Sequence, residues 1–258
     1  MKSNENGFTL VELMSVIIVT GIFVTVIMFF MFNFWTSGYL MEADLDTFVS
    51  RLNAEDYIRN TVGESSGLIN QNSIPDANTE NVDPANGSGN YWIPIHAVPG
   101  NTPVGSPGTT TPLLYFRRYS QDNTGAFIMN GNQHYDDEYV FYLNGSTKQL
   151  LARTLANPNA SGDRLKTTCP PNLATSTCPA DKVISSFIAS VDTRYFSRTG
   201  NLVNFQSIWD PNINGYAGPD FAAVDVLELT LNLTTKPVFQ KTNATVNNTI
   251  IRIALRNT

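Results

Sequence analysis

The hydrophobic pattern of the chain changes twice before any strand begins. From Leu13 to Phe32, twenty consecutive residues carry no charge and are rich in Val, Ile, Met and Phe. At about 1.5 Å per residue, a helix of that length spans a hydrocarbon core of roughly 30 Å. Beyond it Leu45, Phe48, Val49 and Leu52 recur at i, i+3, i+4 and i+7, followed by Ile58 and Val62, while Asp46, Ser50, Arg51 and Asn53 supply polar faces. That spacing predicts an amphipathic continuation of the same helix whose stripe packs against a head domain. Gly63 marks its end, and no proline occurs before Pro75. As one straight rod, Phe8 to Val62 would measure about 80 Å. Gly21 is its weak point, costing roughly 1 kcal/mol relative to alanine.

Residues 63 to 112 are rich in Asn, Ser, Gly, Pro and Thr and read as loop, with Tyr91-Trp92-Ile93-Pro94-Ile95 as a short strand. Strand patterns dominate after that. Leu113 to Tyr119 ends in Arg117-Arg118, Glu138 to Leu143 follows, Asn144-Gly145 signals a hairpin turn, and Lys148 to Leu155 returns as the next arm of a meander. Arg117-Arg118 reads as one edge of a half-buried strand, and Asp136-Asp137-Glu138 as a solvated approach to one. Val183 to Ser197 predicts one or two strands before a turn at Arg198-Thr199-Gly200-Asn201. Leu227, Leu229, Leu231 and Leu233 alternate with Glu228, Thr230, Asn232 and Thr234, so one face of that strand is core. Ile251, Ile253 and Leu255 alternate with Arg252 and Arg256 in a final strand. Pairing these two would leave the carboxyl terminus inside the sheet or at its edge. The expected fold class is α+β: a long amino-terminal helix, part membrane anchor and part amphipathic, packed on an antiparallel β-sheet head.

Charge and cysteine usage add orientation. The net charge of −6 and a sequence pI near 4.9 leave no basic footprint, so direct nucleic-acid binding is not expected. Lys2 and the amino terminus lie on one side of the apolar span, whereas Glu42, Asp44 and Asp46 are the first charges on the other. The positive-inside rule then puts residues 1–7 in the cytoplasm and the head outside, where a disulfide persists. The polar insertion from Asn157 to Pro179 contains Cys169 and Cys178, which we read as a structural disulfide. A zinc site would need two further ligands, and the C-x₂-C spacing is missing.

Two local motifs suggest other chemistry. Gly63-Glu64-Ser65-Ser66-Gly67 matches G-x-S-x-G, but a nucleophile elbow needs a strand before the serine and a helix after it, the reverse of the predicted order. The chain's two histidines, His96 and His134, have no base-like setting, and His134 lacks a second metal-ligand cluster. Asp210, Asn212 and Asn214, followed by Gly215, reproduce the first half of an EF-hand-type calcium loop. The position for its bidentate acid is Phe221, with Asp220 adjacent, so calcium on Asp210, Asn212, Asn214 and Asp220 competes with a plain polar turn. No cofactor is required. The sequons at Asn243 and Asn247 read as loop composition.

The most specific motif precedes the apolar run. A short leader containing Lys2 ends in Gly7-Phe8-Thr9-Leu10-Val11-Glu12, which resembles the type IV prepilin signal. The resemblance implies that a prepilin peptidase cuts after Gly7 and methylates Phe8, leaving Glu12 as the fifth residue of the mature chain. It further implies that Glu12 meets the amino-terminal ammonium of a neighbouring subunit and so sets register during assembly. An acid near the end of a membrane helix is costly unless paired, and the residues themselves offer a second reading in which Thr9 and Glu12 form a capping box. Both arrangements can hold in different states. Many major pilins carry a proline in the membrane half of this helix, and its absence here points to a minor subunit. The order of head motifs is similar to the pseudopilin J family of type II secretion and the minor pilin W family. The organisation expected is leader 1–7, transmembrane helix 8–35, amphipathic helix 36–62 and periplasmic or extracellular head 63–258. The implied partners are prepilin peptidase, other pilins or pseudopilins, an inner-membrane assembly platform and the membrane. The rival reading is a singly anchored surface adhesin or binding protein that never enters a filament, and a tethered hydrolase using Ser65 is a third.

Overall fold

The structure, a computed structural model, describes residues 9–78, 90–93, 100–103, 110–203, 208–210, 215–217, 221–234 and 246–255. Helix α1 runs from Leu10 to Gly63 over 54 residues. No proline interrupts it, and two hydroxyls of its exposed half bond back within the helix: Thr25 and Thr36 Oγ1 donate to Gly21 O and Phe32 O, both at 2.8 Å.

Among the described residues the head follows as thirteen strands: β1 (Gly67–Ile69), β2 (Gly100–Pro103), β3 (Thr110–Tyr119), β4 (Met129–Asn130), β5 (Gln133–His134), β6 (Asp136–Asn144), β7 (Gln149–Leu155), β8 (Lys182–Ser185), β9 (Ile188–Phe196), β10 (Ile208–Asp210), β11 (Gly215–Ala217), β12 (Val226–Thr234) and β13 (Val246–Ala254). They form a five-stranded sheet in the order β1-β3-β6-β7-β8, a four-stranded sheet in the order β13-β12-β9-β2, and two small ribbons, β4-β5 and β10-β11. Each pairing is antiparallel. The fold is thus α+β, a long apolar amino-terminal helix with antiparallel sheets.

The main core lies where α1 and the two sheets meet. Ala54, Ile58 and Val62 of the helix join Phe116, Phe141, Leu143 and Leu150 of one sheet and Val191, Leu227, Leu229, Leu231 and Ile251 of the other. The alternation of leucines in β12 puts that row into the core, and β13 pairs with it in register from Val226↔Ala254 to Thr234↔Val246, at an edge of its sheet. The five-stranded sheet is buried on its second face as well. There Tyr115, Val140, Tyr142, Leu151 and Leu155 pack with Trp92. Burial on both faces explains why β6 is buried at almost every position and runs unbroken in apolar residues from Tyr139 to Leu143 rather than alternating.

Several sequence expectations need correction. Residues 63–112 are not all loop, since they contribute β1 and β2, and Trp92 makes an isolated bridge rather than a strand, its ring 1% exposed. Pro94 and Ile95 lie outside the described residues. The Asn144-Gly145 turn does join β6 to β7 as a hairpin; its left-handed residue is Lys148 (φ 52°), and Asn144 Oδ1 accepts the backbone N–H of Ser146 and Thr147. Asp136-Asp137-Glu138 is not a solvated approach, for Asp137 and Glu138 are 0% and 1% exposed. Each fastens a distant loop. Glu138 accepts from Ser73 N, Ser73 Oγ and Ile74 N at 2.6–2.9 Å and from Arg117 at 3.2 Å, whereas Asp137 Oδ1 accepts from Ser120 Oγ and Asn157 N at 2.8 and 2.9 Å.

The largest correction concerns the helix face. Leu45, Phe48, Val49 and Leu52 do not join the core; they are 59%, 51%, 46% and 44% exposed, with Leu45 and Val49 bordering an open groove between α1 and β8. The buried residues are Ala43, Thr47, Ala54, Ile58, Thr61 and Val62. At about 100° per residue the two sets lie on nearly opposite sides of the rod. Small side chains on the buried side allow close approach to the sheet. Ser50 Oγ accepts the N–H of Ser186 at 3.0 Å and lies 3.1 Å from Ser185 Oγ at the end of β8.

Candidate functional site

The amino-terminal end of α1 is built by two side chains. Thr9 is the N-cap in an extended conformation (φ −75°, ψ 151°) and Glu12 stands at N3, forming a reciprocal capping box. Glu12 Oε2 accepts from Thr9 N at 2.9 Å and from Thr9 Oγ1 at 2.8 Å, and Glu12 N donates to Thr9 Oγ1 at 3.3 Å. The box turns the carboxylate back toward the chain entry instead of along the rod, where the partial positive charge of the helix end also favours it. The carboxylate therefore lies beside the residue that follows Phe8. Gly7 and Phe8 themselves lie outside the described residues.

Behind this cap the rod is bare. The large apolar residues from Leu10 to Trp35 are exposed wherever they occur, and one window of the helix is apolar enough, at mean hydropathy 2.7, to cross a membrane. The exposure continues through Tyr39 and Met41 to the outward stripe of Leu45, Phe48, Val49 and Leu52. The hydrophobic period signalled that stripe but not its direction.

The head carries a buried charged network that sequence reasoning missed. Arg153, 1% exposed, donates through Nε and Nη2 to Asp181 and through Nη1 to Asp76, each at 2.7 Å. Trp92 Nε1 donates to Asp76 at 2.8 Å, and Tyr142 OH and Thr168 Oγ1 donate to Asp181 at 2.6 Å. The guanidinium also lies 5.6 and 5.9 Å from the Trp92 and Tyr142 ring centres. Burial pushes the Tyr142 hydroxyl well above its ordinary range, with the Asp181 charge adding to it. A strand arginine at an alternate position between Leu151 and Leu155 was the available signal.

Cys169 and Cys178 are joined by a disulfide with Cα atoms 5.6 Å apart. The bridge sits beside the network, since Cys169 O accepts the N–H of Asp181 at 2.8 Å. Ser65 Oγ is buried with no hydrogen-bond partner among the described residues, and its serine follows α1 and precedes β1. His134 packs instead against Tyr119, tilted, and Phe127, edge to face, with ring centres 4.5 and 5.3 Å away. His96 lies outside the described residues. Of the suggested calcium ligands, Asp210 ends β10 opposite Gly215 of β11, and Asn212, Asn214 and Asp220 lie outside the described residues.

With the geometry in place, the amino terminus has a counterpart among known families. Residues 2–28 match the prokaryotic N-terminal methylation motif. No curated protein matches the chain. The motif, the apolar helix and the capped glutamate together support a type IV pilin-type protein with a prepilin signal.

Proposed function

We propose that the chain is a minor pilin or pseudopilin, a structural subunit that initiates, caps or joins a type IV pilus or a type II secretion pseudopilus. A prepilin peptidase removes residues 1–7 and methylates Phe8. The helix waits in the membrane, engages the inner-membrane assembly platform, and docks among the helices of other pilins or pseudopilins with the head outside. Glu12 leaves its local cap during docking to meet a neighbour's terminal ammonium.

The observation that carries this reading is the uncovered stripe on α1. Leu45 lies ten residues past Trp35, about 15 Å beyond the end of the expected span. Lipid does not reach it in an upright helix, and the head covers the opposite side. Neighbouring helices in a filament would cover it, whereas a solitary anchored adhesin leaves it in water at a continuing cost.

Intact mass and amino-terminal sequencing of protein recovered from its native membrane test the processing step, and Glu12→Ala tests assembly. An N-methylated Phe8 terminus and loss of the filament on Glu12→Ala are expected. A chain still beginning at Met1 in cells with active peptidase would overturn the reading in favour of the surface adhesin. The reading needs no cofactor. Calcium at Asp210, Asn212, Asn214 and Asp220 is a separate proposal, which Asp210→Asn addresses.

A further inference from the structure

A notch opens on α1 just past the apolar run. Gly38 forms its floor, Phe34, Trp35 and Tyr39 line its walls, and Glu42 closes the end toward the head, around an open volume of about 440 Å³. Their spacing of i, i+1, i+4, i+5 and i+8 puts all five on one side of the helix. The three aromatic side chains are exposed, and a Cβ added at Gly38 would meet nothing within 4 Å. A glycine inside a helix costs about 1 kcal/mol relative to alanine, and no close contact among the described residues accounts for this one. The bare floor leaves room for a group from outside the chain.

The lining suits an organic cation. Aromatic ring faces attract an ammonium held within about 6 Å of their centres, and a carboxylate supplies the counter-charge. Glu42 has Gly38, Tyr39, Leu45 and Asp46 three and four positions away, so no basic neighbour on the helix takes its carboxylate. Side chains on a helix lean toward its amino terminus, which tips Glu42 back over Gly38 and toward the membrane.

Depth decides which cation is nearest. Gly38 lies three residues past Trp35 and Glu42 seven, about 4.5 and 10 Å beyond the expected span. The headgroup layer on each side of a bilayer is roughly 5–8 Å thick, so the notch opens among lipid headgroups. Anionic lipids are the wrong partners. Glu42, Asp44 and Asp46 are the first charges after the span, and no Lys or Arg occurs between Lys2 and Arg51, the reverse of the polybasic segments that hold anionic headgroups. Trp35 Nε1 and Tyr39 OH are donors in the lining for the phosphate that accompanies a headgroup ammonium.

We propose that this notch binds a phospholipid whose headgroup carries an ammonium, of ethanolamine's or choline's class, with the ammonium between the aromatic walls and Glu42. The bound lipid fixes the depth and rotation of α1 while the subunit stands alone in the membrane. The inference rests on α1 spanning the membrane, which the pilin and adhesin readings share, and not on entry into a filament.

The test reconstitutes the full-length chain into nanodiscs made of phosphatidylethanolamine and phosphatidylglycerol in equal amounts, and native mass spectrometry counts the lipid that stays on the protein after release. Wild type is expected to retain the ethanolamine lipid at least about fivefold over the glycerol lipid, the size of one cation–π contact. Glu42→Gln keeps the shape and removes the charge, and Gly38→Leu fills the notch while favouring the helix; each should bring the two lipids to parity. Asp44→Asn removes the same charge outside the notch and should keep the preference. A chain that inserts but retains both lipids alike overturns the proposal and leaves the proposed function standing, whereas a chain that fails to insert overturns both. A preference that survives Glu42→Gln or Gly38→Leu, or that Asp44→Asn abolishes as fully as Glu42→Gln, also overturns it, since overall charge rather than a site would then select the lipid.

Discussion

Replacing Leu45, Phe48, Val49 and Leu52 together with glutamine separates the two faces of α1. Each side chain is between 44% and 59% exposed, so roughly half of its apolar area remains to be covered. Full burial of such a side chain contributes about 1.5–3 kcal/mol, so completing it contributes about 1 kcal/mol each and about 4 kcal/mol for the set. That corresponds to about a thousandfold in an association constant. Glutamine is a good helix former, and exposed substitutions change stability by about 0.5 kcal/mol or less. The detergent-solubilised variant should therefore unfold near wild type. Ile58→Ala on the opposite face is the control. Ile58 is 0% exposed in the main core, and its truncation should cost about 2–5 kcal/mol. Urea midpoints measure the first quantity, and immunoblots of sheared filaments measure incorporation. The quadruple variant should be stable but absent from filaments. Wild-type incorporation would refute the claim that the stripe docks on neighbours, and a midpoint falling as far as that of Ile58→Ala would refute the claim that it is unpartnered in the monomer.

Arg153→Ala should destabilise the head by about 3–5 kcal/mol, since it leaves Asp76 and Asp181 buried without their counter-ion. Combining Arg153→Met with Asp76→Asn and Asp181→Asn should recover much of that loss, and an Arg153→Ala urea midpoint within about 1 kcal/mol of wild type would sink the account. Changing Cys169 and Cys178 to serine opens a bridge between residues nine apart and should cost about 2–3 kcal/mol on chain-entropy grounds. Thermal unfolding with and without reductant checks it: wild type should fall to the level of the double serine variant, and the variant itself should not respond.

The parts of this protein legible in the sequence are those whose cause is local. A prepilin-type leader is a linear pattern, and the 54-residue helix is a long one. The period-two leucines of β12 likewise carry their own evidence. The face of α1 was misread for a physical reason: periodicity reports which residues are apolar, not what covers them. Here the head takes the side lined by Ala43, Thr47, Ser50 and Ala54, where small side chains let a sheet come close, and leaves the larger residues outward. Acidity misled in the same way. Asp137 and Glu138 look like solvated charges until Ser73, Ser120 and Asn157 arrive from elsewhere in the chain. A carboxylate whose donors lie 17, 20 or 65 residues away has no local signature. The same reasoning applies beyond the monomer. If small residues serve the cis contact of α1, its large ones are free for a contact in trans, and a hydrophobic stripe that fails to describe the subunit's own packing is evidence about its neighbours.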